Sequence, residues 1–224
     1  MLFRFVSQSR YAAIYAITDK SKGFFGGVSA FLLSKKLNEY ASGPKYEKMG
    51  LQSCDLSDLF FDSIEISAAS LLDKEGSGPY IFNYSMNWER ALISAIHIGQ
   101  MRRMLSKTIT YTKERVTSGK RLFEHQSISH KLAEMKVKLE TSRTLAYSVS
   151  LRLNNTKGLQ SFCATSKLYV SECVNFISMN CFQIFGGYGY MKGYEIEQDV
   201  RDALSATLYS GTSEVMKNLI SKDL

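Results

Sequence analysis

Two hydrophobic periods divide this chain. Up to about residue 75 the apolar residues come in short runs, Ala12 to Thr18, Gly27 to Ser34 and Asp58 to Ile66. Lys20-Ser21-Lys22-Gly23 and Ser42-Gly43-Pro44 separate them, and clusters of glycine, proline and serine between apolar runs mark turns. This half predicts an antiparallel sheet, closed by the turn Lys74-Glu75-Gly76-Ser77-Gly78-Pro79. After it the spacing becomes helical. Asn83 to Glu114 carries Leu92, Ala95, Ile96, Gly99, Met101 and Leu105. Ser127 to Asn154 carries Ile128, Leu132, Met135, Leu139, Leu145 and Val149. A third helix is predicted over Gln160 to Phe185, and a fourth over Thr212 to Lys222 with Ser210, Thr212 or Ser213 as N-cap. The expected fold is α+β, a partial antiparallel β domain followed by an antiparallel four-helix bundle.

Composition narrows the function classes. The chain has 224 residues, 45% hydrophobic, enough for a packed core. Its net charge of +7 suits a polyanionic partner. Lys and Arg are spread along the helical half without interleaved aromatics, which argues against nucleic acid. Cys54, Cys163, Cys173 and Cys181 form no CxxC pair and make no ligand cluster with His97, His125 and His130, so a metal is not expected. Met1 to Thr18 holds Arg4 and Arg10 and no acid, as a mitochondrial transit peptide can, but Tyr11 to Ile17 reads as a strand. No apolar run approaches a membrane span.

Candidate chemistry collects near the end of the chain. Gln183-Ile184-Phe185-Gly186-Gly187-Tyr188-Gly189-Tyr190 is a glycine-rich break between helices, and Tyr209-Ser210-Gly211-Thr212-Ser213-Glu214 a second glycine turn flanked by hydroxyls. Such glycines serve as plain C-caps and turns, or let a backbone approach a phosphate ahead of a helix N-terminus.

In order and spacing, Tyr15-Ala16-Ile17-Thr18-Asp19, Lys48 to Asp55, Leu72 to Gly78, Trp88-Glu89-Arg90, Arg115 to Gln126, Gln183 to Tyr190, Arg201-Asp202-Ala203 and Gly211 to Glu214 together resemble the C-terminal part of the acyl-CoA dehydrogenase family. The resemblance implies FAD-dependent α,β-dehydrogenation of an acyl thioester, on acyl-CoA or on an acyl or peptidyl carrier protein. It implies residues 1–78 as the later part of a central β domain, 79–224 as the helical domain, and the family's N-terminal helical domain as absent. A fragment, one product of a split gene, or a chain completed by a second polypeptide is therefore expected. So is a homodimer or homotetramer, in the cytoplasm or the mitochondrial matrix.

Residue by residue, the commonest branch of the family places its base just before the final Gly-Thr, where this chain has Ser210. A serine hydroxyl is no base without an activator. A minority branch, resembling isovaleryl- and long-chain acyl-CoA dehydrogenases, places the base before an arginine on the first long helix, and Glu89 followed by Arg90 matches it. An acid early in a helix also simply favours the dipole. The resemblance assigns Glu89 as base and Arg90 and Tyr209 to the substrate. It assigns Ser7, Arg115, Gln126, Gln183, Gly187, Thr212 and Glu214 to FAD, with some contacts crossing a subunit boundary. One position departs from the pattern, since Ser118-Gly119 stands where Phe-Gly is usual and an aromatic that would pack on adenine is missing. A non-catalytic oligomerisation subunit or decayed paralogue is the alternative reading.

Overall fold

The computed structural model describes residues 2–4, 9–38, 40–154 and 158–224, and its chain divides into two units, Met1–Ser85 and Met86–Leu224. In the first unit, β1 (Leu2–Arg4) precedes β2 (Tyr11–Ile17), a kinked turn α1 (Phe24–Gly27), β3 (Val28–Ser34) and the single turn α2 (Lys35–Asn38). Then come β4 (Ala41–Ser42), β5 (Leu56–Phe60) and β6 (Leu71–Leu72). The ladders are antiparallel, in the orders β1-β5-β4 and β2-β3-β6. Tyr11 opposes Ser34 and Ile17 opposes Val28, so β2 and β3 pair along their whole length. This register puts Ala12 and Leu33 into a small core with Tyr40 and Leu59.

The strand expected from Asp58 to Ile66 ends at Phe60. A bend at Asp62 and Ser63, with Ser63 at φ +47, breaks the ladder. Ile64 and Ile66 are apolar because they cover the small core, not because they pair. Two glycines set where the first long helix starts. A Cβ on Gly78 would lie 2.7 Å from the Val28 carbonyl, and one on Gly76, at φ +81, 2.6 Å from the Gly26 carbonyl, while the Gly76 N–H donates to the buried Ser29 hydroxyl at 2.9 Å. Only glycine permits both approaches.

The helix α3 (Gly78–Glu114) begins in the first unit and runs into the second. It ends at a hairpin of β7 (Val116–Thr117) and β8 (Lys120–Arg121), whose two turn residues, Ser118 and Gly119, both take positive φ, as a tight two-residue hairpin requires. α4 (Gln126–Ser150), α5 (Leu159–Phe185), the single turn α6 (Gly187–Tyr190), α7 (Ile196–Leu204) and α8 (Ser213–Ser221) follow. α5 packs against α4, α7 and α8, and Met101, Met104, Met135, Val170, Val174 and Ile177 are fully buried in the shared core.

The fold class is the expected one, with two differences. The fourth bundle position is shared by α7 and α8, each of nine residues. α7 was hidden because its short stretch is charged, and only Ile196, Asp199 and Ala203 are buried. On α3 the expected stripe holds only in its later part, since Met101 and Leu105 are buried while Leu92 and Ile96 are exposed. The buried face holds Arg90, Ser94, His97, Met101, Met104, Thr108 and Thr112, a helical period written largely in polar residues. Among the described residues, no helix is long and apolar enough to cross a membrane.

Candidate functional site

Glu89 lies on the exposed face of α3, and Arg90, one residue on, is turned into the protein. Against them sits the turn before α8. Ser210 and Gly211 take φ +56 and +100 in succession, and a Cβ on Gly211 would meet the end of the Met216 side chain at 2.6 Å. This reversal delivers the Ser210 hydroxyl to Glu89, and it donates a hydrogen bond to carboxylate oxygen Oε1. Arg90 Nε donates to the Ser210 carbonyl at 3.2 Å, and Lys167 Nζ, from α5, to the Gly211 carbonyl at 2.6 Å. Thr212 then caps α8, its hydroxyl accepting from Val215 N.

The groups behind this turn are basic and buried. Burial lowers the Arg90 guanidinium from its ordinary range, with nearby Cys163 and Glu89 opposing, and Arg90 Nη1 has no hydrogen-bond partner among the described residues. Burial pushes the Cys163 thiol up to about 11, so no thiolate nucleophile stands beside it. His97 is held below the ordinary histidine range, first by burial and further by the Lys167 charge, while its bond to Gln100 opposes. Glu214, in the first turn of α8, is held below the usual carboxylate range by its own backbone N–H and by Thr212.

A second cluster lies at the other end of α3. Arg115 follows the last helical residue, and its guanidinium is 5.6 Å from the Tyr188 ring centroid. Both border an open groove of about 440 Å³ with Tyr111, Thr117, Phe185, Gly186 and Gly187. A side chain on Gly186 or Gly187 would meet nothing within 4 Å, so the backbone there is open to a ligand. The helix expected after these glycines is one turn, its N–H groups partly used as Gly189 bonds Gly186 and Met191 bonds Tyr188. That turn is too short to focus a dipole.

The structure brings Glu89, Arg90, Tyr209, Thr212 and Glu214 to one region, and Arg115, Gln183 and Gly187 to another. Gln126 is exposed as the first residue of α4, and Gln183 is exposed in the last turn of α5. Ser7 lies outside the described residues. Between Glu89 and the last residue of α3, Glu114, the helix rises about 38 Å at ~1.5 Å per residue. Sequence reasoning missed Lys167 and the pairing of His97 with Tyr209. The available signal was the polar spacing of Arg90, Ser94 and His97 in a helix that must bury one face.

Residues 76–224 match the family model described as acyl-CoA dehydrogenase, C-terminal domain. The chain is 33% identical over 210 residues to the L-prolyl-[peptidyl-carrier protein] dehydrogenase of Pseudomonas fluorescens, covering 94% of this chain and 55% of that protein. It is 35% identical over 213 residues to the mitochondrial long-chain specific acyl-CoA dehydrogenase of Sus scrofa, covering 94% and 49%. A solved structure described as an FAD-dependent dehydrogenase superposes with a TM-score of 0.93 at 33% identity, covering 97% of this chain and 58% of the other. The chain thus spans about half the length of the curated relatives it matches.

Proposed function

The chain belongs to the acyl-CoA dehydrogenase family, and from that premise we propose that it serves the FAD-dependent α,β-dehydrogenation of an acyl thioester, with Glu89 as the base. The observation that carries this reading is the hydrogen bond from Ser210 to Glu89. The two positions at which the family's branches place a base are 121 residues apart and meet in space, so a carboxylate from either reaches the same point. The serine at one site and the acid at the other are then one base in an alternative location.

The residues fit the cofactor. Arg115 offers charge-assisted hydrogen bonds to a pyrophosphate, the glycines beside it leave the backbone uncovered, and Tyr188 supplies an aromatic face that Ser118 does not. Bound FAD would supply a hydride acceptor for the β carbon. Glu89 uses the oxygen not engaged by Ser210 to take the α proton, and Ser210 fixes the orientation of that carboxylate. Arg90 holds the turn in place through the Ser210 carbonyl. Since the Glu89 and Arg115 clusters lie roughly 38 Å apart along α3, one cofactor is served by Arg115 of one copy and the base of another. The substrate is a thioester of coenzyme A or of a carrier protein.

The test is anaerobic reduction of the flavin in the purified holoprotein by acyl-CoA and acyl-carrier thioesters. Glu89→Gln should retain flavin and lose about 10²- to 10⁴-fold in the reduction rate, the usual range for a general base. Equal bleaching by wild type and variant rejects Glu89 as the base, and a protein that never retains flavin favours a non-catalytic subunit.

A further inference from the structure

The turn bearing Ser210 is held by a hydrogen-bond chain through Tyr209, His97 and Gln100. The Tyr209 hydroxyl lies 2.6 Å from His97 Nε2, and the two rings are nearly parallel, 18° apart. His97 is 5% exposed, and its Nδ1 faces Gln100 Oε1 at 3.4 Å. The Gln100 amide nitrogen donates to the Asp199 carbonyl on α7 at 3.4 Å. An amide that donates through nitrogen presents oxygen on its other side, so His97 Nδ1 carries the proton and Nε2 offers a lone pair. Tyr209 is therefore the donor. Lys167, 1% exposed, bonds the next-but-one carbonyl, that of Gly211, and its ammonium disfavours a second positive charge on His97. The imidazole stays a neutral acceptor.

We infer that His97, supported by Lys167, is a positioning residue. By fixing the Tyr209 hydroxyl from beneath, it locks the Ser210–Gly211 reversal so that Ser210 meets Glu89. The reversal needs such a lock, because Ser210, a non-glycine residue, is held at φ +56, which is costly for the backbone to hold alone. The chain also ties the turn to α7 through Gln100, whose amide nitrogen donates to the Asp199 carbonyl. The consequence for turnover rests on the reading of Glu89 as the base, whereas the mechanical role of His97 does not.

Amide hydrogen exchange on the purified protein separates the two. In His97→Phe, which keeps a ring and removes the acceptor, and in Tyr209→Phe, which removes only the donor, amides of residues 209–213 should exchange about tenfold faster, the loss expected for one buried hydrogen bond. Amides of α4 should be unchanged. His97→Gln, whose side-chain oxygen can replace Nε2 as acceptor, should return exchange to within about threefold of wild type. Exchange at the wild-type rate in both phenylalanine variants overturns the inference, and Tyr209→Phe carries the test should His97→Phe fail to fold. With a thioester substrate, kcat should fall about tenfold in His97→Phe with KM within about twofold, and recover in His97→Gln. An unchanged kcat beside a loosened turn overturns the link to Glu89. A wild type without turnover counts against the proposed dehydrogenase function and leaves the exchange result standing.

Discussion

At Glu89 and Ser210, two side chains from distant parts of the chain meet in a hydrogen bond, and with Glu89 proposed as the base, that juxtaposition predicts that the base can be exchanged between them. In Glu89→Gln combined with Ser210→Glu, the carboxylate moves across the contact, and thioester-driven flavin reduction should recover at least about tenfold over Glu89→Gln alone, as expected when a base returns to reach of the same proton. Stopped-flow reduction measures it, and no recovery means the two positions are not equivalent. His97 makes a second prediction at this scale. Its folded pKa lies below its ordinary value of 6.5, so the unfolded chain binds the proton more readily. The stability it contributes is complete above about pH 6.5 and declines as pH falls toward the folded pKa. Urea midpoints between pH 7.5 and 5 should drop more steeply for wild type than for His97→Gln. The groups facing His97 are Tyr209, Gln100 and Lys167, of which Lys167 adds to the shift.

Among the elements, α8 leans on one capping side chain. Thr212 supplies its N-terminal cap, and a nine-residue helix has little propagation to offset a lost cap. Thr212→Ala should destabilise the protein by about 1 kcal/mol, read from chemical denaturation, and should loosen the turn that precedes it. Most elements were legible in the sequence because their periods are plain. The pairing of β2 with β3 follows from two apolar runs around a glycine turn, and α4 and α5 carry apolar stripes that pack as their spacing implies. α3 was legible as a long helix ending at Glu114, and its buried phase was legible at Met101 and Leu105 but not before them. Its buried face is lined by Arg90, Ser94 and His97, and a polar residue becomes a core residue only when a partner such as Ser166 or Tyr209 arrives from another element.

For the whole molecule, the separation of the two clusters along α3 has a consequence for cofactor binding. Arg115→Ala should weaken FAD retention by about 10- to 100-fold, the worth of a charge-assisted hydrogen bond, while leaving the Glu89 turn intact. Flavin absorbance after dialysis measures the first effect, and exchange protection of residues 209–213 the second. Mixing this variant with Glu89→Gln should restore some turnover if base and pyrophosphate contact come from different copies, since one mixed site then holds both native residues. The sequence by itself determined the α+β division, the long helices, the family and the two glycine turns. These depend on local spacing and on short motifs, which a linear chain displays directly. Only the tertiary structure decided that Ser210 meets Glu89, that His97 and Lys167 stand beneath that turn, and that Arg115 stands apart from it. Those relations join residues dozens to more than a hundred positions apart, and they are set by how α3, α5 and α8 pack, which no local period encodes.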